Sequence, residues 1–173
     1  TGIIIRVSGV RVPAPPHMYS DKGKISLKHR ILLKIYCYLK LPLIAYCRPR
    51  ILVLNHCEST VQIPLSRRTK NHFNSMYFGA LSIGADFTAG LLVMNLLKKN
   101  KSQAKLLFKD FKANFIKRGD SDIFFTCKDY KIAEQSILEN IKTNQRINFK
   151  LSVIASSKTG DHIADFILTT SIK

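Results

Sequence analysis

Acidic residues are scarce in this chain of 173 residues: 11 Asp and Glu stand against 28 Lys and Arg, a formal net charge of +17. Such a balance attracts anions, whether nucleic acid, acidic membrane surfaces or phosphorylated small molecules. The signatures that would single out nucleic acid are missing. No helix-turn-helix, zinc finger or RNA-binding aromatic motif is present, and the basic residues are scattered along the chain, so no nucleic-acid partner is expected. Cysteine is sparse as well. Cys37, Cys47, Cys57 and Cys127 form no CxxC pair and have no metal-ligand spacing with histidine, so neither a metal nor a cofactor is expected. Reduced thiols fit a cytoplasmic setting. Cys127, beside Ile123, Phe124 and Phe125, reads as a small hydrophobe. Internal repeats and low-complexity linkers are also lacking.

What is present suffices for one domain and a terminal extension, with 46% hydrophobic and 9% aromatic residues to build a core. The first residues show no charged leader followed by a long apolar stretch. The run Ser8 to Pro16 has no periodicity, and codons for it could read as the T-arm and CCA end of a transfer-RNA gene lying upstream. Residues 1–25 are therefore expected to be disordered or a non-native leader, with the natural start at Met18. Residues 26–47 read as a basic amphipathic helix, capped by Ser26, with Ile31, Leu32, Ile35, Tyr38 and Leu39 as apolar positions and Pro42 ending or kinking it. Packing over the main domain is the expectation for this helix; lying on an anionic membrane is the alternative.

Residues 48–173 carry the main domain. Ile51–His56 and Thr60–Leu65 are β-rich and flank a turn at Cys57, Glu58 and Ser59. Phe78–Leu97 is apolar on nearly all sides, which demands a helix buried all round or one crossing a membrane. Asp86 near its middle, with Ser82, Thr88 and Asn95, argues for burial in protein. Lys105–Ile116 and Asp122–Lys128 alternate as strands, and Arg118-Gly119-Asp120 predicts a turn joining them as a pair. Tyr130–Thr143 has helical spacing. Arg146–Ala155 and His162–Ile172 predict long strands about a turn at Lys158–Asp161. An α+β fold, one antiparallel sheet curled around one long helix, accommodates this order.

Asp86 is the candidate for chemistry. A carboxylate in so apolar a helix is desolvated, which raises its pKa toward the range a general base needs. Ser82, four residues earlier, shares its helical face. The free amides and positive dipole end near Phe78 suit a developing oxyanion. The bland reading of Asp86 is an acid paired with a lysine or an amide at an interface. Asn71 and His72 equally suit a turn or cap, Arg67, Arg68 and Lys70 equally suit a solvated loop, and His56 and His162 are isolated.

The element order, together with the segment from Asn71 to Asp86 (NHFNSMYFGALSIGAD), resembles the hotdog superfamily. Within it the segment is similar to the PaaI-like acyl-CoA thioesterases and to a YiiD-like branch. The resemblance implies that Asp86 is the catalytic acid, that Asn71 positions water or substrate, and that the backbone amides of Phe78 and Gly79 bind the oxyanion. Tyr77 stands where the family's histidine would be and Phe78 where its first glycine would be, while Gly79 keeps the second. Tyr77, Ser82 and His72 would line the substrate pocket, and Arg67, Arg68 and Lys70 would meet coenzyme A phosphates. The implied substrate is an acyl-CoA or acyl carrier protein, and the implied assembly is a homodimer or dimer of dimers with a site shared between subunits. A non-catalytic hotdog protein that binds acyl chains or acyl carriers is the alternative, favoured by Tyr77 and Phe78 in place of His-Gly.

Overall fold

The computed structural model describes residues 35–173. Ser26, Ile31, Leu32 and the leader about Met18 therefore lie outside the described residues. Residues 35–40 are helical, and a short helix α1 (Pro42–Tyr46) follows after a break at Leu41. Pro42 occupies the first turn of α1, where a missing N–H costs nothing, so the proline kinks the segment without ending it. Bonds from Leu41 N to Cys37 O and from Ala45 N to Leu41 O carry the helical path across the break.

Strands β1 (Arg50–Leu54) and β2 (Ser59–Ile63) form the expected hairpin. Asn55 closes it, its Oδ1 accepting from the amides of Cys57 and Glu58. The long helix α2 (Phe78–Lys99) then leads to β3 (Leu106–Phe115), β4 (Ile123–Cys127), helix α3 (Tyr130–Thr143), β5 (Ile147–Ser157) and β6 (His162–Ile172). The six strands make one antiparallel sheet in the order β1-β2-β4-β5-β6-β3. The sheet curls around α2, which packs against β2, β4 and β5, and α3 closes over α2 and β5. This is the hotdog architecture.

The sequence pattern explains the arrangement. All five residues of β4 are buried, so β4 must lie in the interior of the sheet, between β2 and β5. In β3 nearly every residue is exposed, as an edge strand allows. For that reason the pairing of β3 with β4 expected from Arg118-Gly119-Asp120 does not form. Instead β3 pairs with β6 along its whole length, and the connection after it crosses the molecule. Gly119 O accepts from Met76 N at 2.6 Å, tying that crossing to the loop before α2.

Helix α2 buries twelve residues, from Ala80 and Leu81 to Leu96 and Leu97, on all sides of its axis. It is long and apolar enough to cross a membrane, yet the sheet surrounds it. Gly84 lets the sheet come close: a Cβ there would lie 2.4 Å from Cε2 of Phe125, which is fully buried. Rings of Phe111, Phe115 and Phe125 surround Phe166 at centroid distances of 5.6 to 6.3 Å.

Candidate functional site

Asp86 sits on the third turn of α2 and borders a groove of about 900 Å3. One wall is α2 from Asp86 to Lys98. The opposite walls are the 101–105 connection with the start of β3 and, from the N-terminal segment, Tyr36, Leu41 and Ile44. The volume matches a ligand site, and the lining is largely apolar. Asp86 is the sole carboxylate among these bordering residues, and it makes no hydrogen bond or ion pair with any described residue. Burial pushes its carboxyl above the usual 3.8, with no donor among the described residues to hold it down. Such a carboxylate is a better base than a surface acid and has lone pairs free for a water.

Lysines stand at the far end of the groove. Lys98 lies twelve residues along α2 from Asp86, about 18 Å of helical rise, and Lys101 and Lys105 join it in the lining. The expected cations Arg67, Arg68 and Lys70 are elsewhere. Lys70 Nζ donates to Asn74 Oδ1 at 3.0 Å, and the Arg68 guanidinium lies over the Tyr46 ring, 5.1 Å from its centroid. Sequence reasoning passed over Lys98, Lys101 and Lys105; their only signal was a basic cluster directly after an apolar helix.

The other expected residues gather at the start of α2. Asn71 does not reach toward Asp86 with its oxygen: Oδ1 accepts from Phe73 N (2.9 Å), Ser75 N (3.2 Å) and Ser75 Oγ (3.2 Å), closing its own loop. Only its Nδ2 is left for another partner. His72 is exposed and packs on the Phe73 ring at 3.9 Å. Ser82 turns back, donating to Phe78 O at 3.0 Å. The amides of Phe78 and Gly79 open the helix and have no intrahelical acceptor. Above them lies Tyr77, whose ring covers Gly79 so closely that a Cβ on Gly79 would sit 2.6 Å from Tyr77 Cε1. Phe78 turns outward, 58% exposed, its ring edge-on to Phe115 at 6.4 Å.

Within one chain these groups do not converge. Phe78 and Asp86 are eight residues apart on a straight helix, about 12 Å of axial rise, too far for both to act on one carbonyl. His162 Nε2 and Asp165 Oδ1 are hydrogen-bonded at 2.6 Å on β6 and do not border the groove.

Solved structures share this fold. A protein of unknown function from Chlorobaculum tepidum superposes with a TM-score of 0.74 at 12% identity, covering 84% of this chain and 94% of its own. A protein from Shewanella oneidensis gives 0.72 at 15% identity, covering 83% and 96%. A thioesterase from Haemophilus influenzae gives 0.64 at 13% identity, covering 88% and 93%. At such identities the likeness speaks to the fold. No curated protein matches the sequence. The model of a domain of unknown function, DUF4442, matches residues 29–172, and with the sheet wrapped around α2 this makes the chain a hotdog-fold member of the DUF4442 family.

Proposed function

We propose that the protein is a cytoplasmic acyl-thioester hydrolase acting on an acyl-CoA or acyl carrier protein, without a metal or cofactor, of a kind resembling the PaaI-like or YiiD-like thioesterases. One observation carries this reading: Asp86 is a desolvated carboxylate with no partner among the described residues, at the wall of an apolar groove. Its carboxylate would take a proton from water as the hydroxide adds to the thioester carbonyl. Collapse of the tetrahedral intermediate breaks the C–S bond, and the proton passes to the departing thiolate. Asn71 would steer the water through Nδ2, and the amides of Phe78 and Gly79 would hold the oxyanion. The lysines Lys98, Lys101 and Lys105 suit the phosphates of coenzyme A better than Arg67, Arg68 and Lys70, because they border the groove. Thioesterase structures among the fold's neighbours support the reaction class.

The axial gap between Phe78 and Asp86 calls for a second subunit to complete each site, so the working form is at least a dimer. Leu107, Phe111 and Phe115 are exposed on the edge strand β3, which offers the surface for it. The alternative, a hotdog protein that binds acyl chains without cleaving them, draws on the Tyr77 ring over Gly79, which covers the first turn where an oxyanion would sit. Hydrolysis of a panel of acyl-CoAs by wild type and by Asp86→Asn separates the two. Turnover that falls by about two to four orders of magnitude in the variant supports the hydrolase. Equal rates remove Asp86 from the mechanism, and tight binding without wild-type turnover favours the carrier.

A further inference from the structure

The N-terminal helical segment is apolar on two opposite sides, and the core accounts for only one of them. Cys37, Ile44 and Cys47 face inward and are buried in the core cluster. On the outer side Ile35, Leu39, Leu43 and Tyr46 follow one another at helical spacing, with Tyr38 beside them. Leu39 and Leu43 are 68% and 66% exposed and Tyr38 is 77% exposed. A run of leucines and tyrosines this open on a folded domain marks an interaction surface.

Its surroundings choose the partner. From Lys22 to Cys57 the sequence holds eight Lys and Arg and not one Asp or Glu. Lys40, Arg48 and Arg50 are exposed around the stripe, and Arg68 joins them by stacking on Tyr46. Aliphatic residues at the centre, tyrosines at the edge and cations on the rim are the composition of a helix lying in the headgroup region of an anionic bilayer. Nucleic acid would take the cations but would leave the leucines in water. A second copy of the chain would set two basic segments without an acid of their own against each other, and the exposed edge of β3 already offers it a place.

We infer that the stripe Ile35–Leu39–Leu43–Tyr46, with its rim of arginines and lysines, docks the protein on an anionic lipid surface. The inner side of the same segment, through Tyr36, Leu41 and Ile44, walls the groove, so docking sets the groove beside the bilayer where acyl chains reside. The inference does not depend on hydrolysis, and its test uses no substrate. Full-length protein is sedimented with phosphatidylcholine vesicles, with and without phosphatidylglycerol, at low and high salt. Wild type is expected on the anionic vesicles only, released as salt rises. Leu39→Glu with Leu43→Glu, both surface changes, is expected to weaken binding about tenfold or more per leucine while the melting curve stays unchanged. Three results would overturn the proposal: no wild-type binding to anionic vesicles, equal binding by the double variant, or a double variant that alters only the oligomeric state of a protein that vesicles never retain.

Discussion

The Cα of Gly84 faces the ring of Phe125 at a distance that leaves no room for a methyl group: a Cβ would lie 2.4 Å from both Cε2 and Cζ. Helix α2 and strand β4 are in contact here because one of them gave up a side chain. Phe125 is fully buried and cannot swing into solvent. Gly84→Ala gains helix propensity yet must push α2 off the sheet, so it is expected to cost about 1–3 kcal/mol. A thermal melt should show a drop of several degrees, and a variant as stable as wild type would mean that this contact is looser than described.

Asp86 links stability to pH. Its folded pKa lies above the ordinary 3.8, so the native state holds its proton longer than the unfolded chain does. Stability is therefore lost as pH rises through the interval between the two values. Asp86→Asn removes that loss: it should melt higher than wild type at neutral pH and together with it below about 3.8. The rate of wild-type thioester hydrolysis should rise with pH over a limb displaced above the ordinary carboxylate range. Melting curves that differ equally at every pH would refute the assignment.

Asn71 allows its two roles to be pulled apart. Its oxygen closes the loop through three donors, while only its Nδ2 is left to meet a water. Asn71→Asp keeps the acceptor and should melt close to wild type, yet lose hydrolysis. Asn71→Ala leaves three donors without a partner and should lose about 1–2 kcal/mol as well. If the aspartate variant turns over normally, Asn71 serves the loop alone.

The cysteines should react very unequally. Cys57 is exposed, whereas Cys37, Cys47 and Cys127 are buried. Burial raises the thiols of Cys37 and Cys47 and pushes that of Cys127 up to about 12. Alkylation of the native protein followed by intact-mass measurement should add one label rapidly, on Cys57, and further labels only on unfolding. Fast labelling of Cys37 or Cys47 would show that the N-terminal segment lifts away from the core.

Thr170 offers a gain. Its Oγ1 is buried without a hydrogen-bond partner among the described residues, an orphan hydroxyl near the C-terminal end of β6. Thr170→Val keeps the shape and removes the unmet group, so stability should rise by about 1 kcal/mol in a denaturant titration. A loss of that size would point to a partner for the hydroxyl.

Sequence alone determined the elements whose physics is local. Helix α2 begins at Phe78 as the apolar run requires, α3 spans Tyr130–Thr143 as its spacing requires, and β6 covers His162–Ile172 about a turn at Gly160, whose φ of +89° suits glycine. Asp86 stood out because a lone acid in an apolar helix is costly wherever it lies. Tertiary structure decided what depends on neighbours distant in the chain. A good turn at Arg118-Gly119-Asp120 could not make β3 and β4 partners, since a fully apolar strand belongs in the sheet's interior and a solvated one at its edge. The cations beside the groove came from the end of α2 and not from the loop before it, because the fold brings the 101–105 connection over the helix. In the N-terminal segment, periodicity found the apolar positions, but only packing could show which of them the core would leave in water.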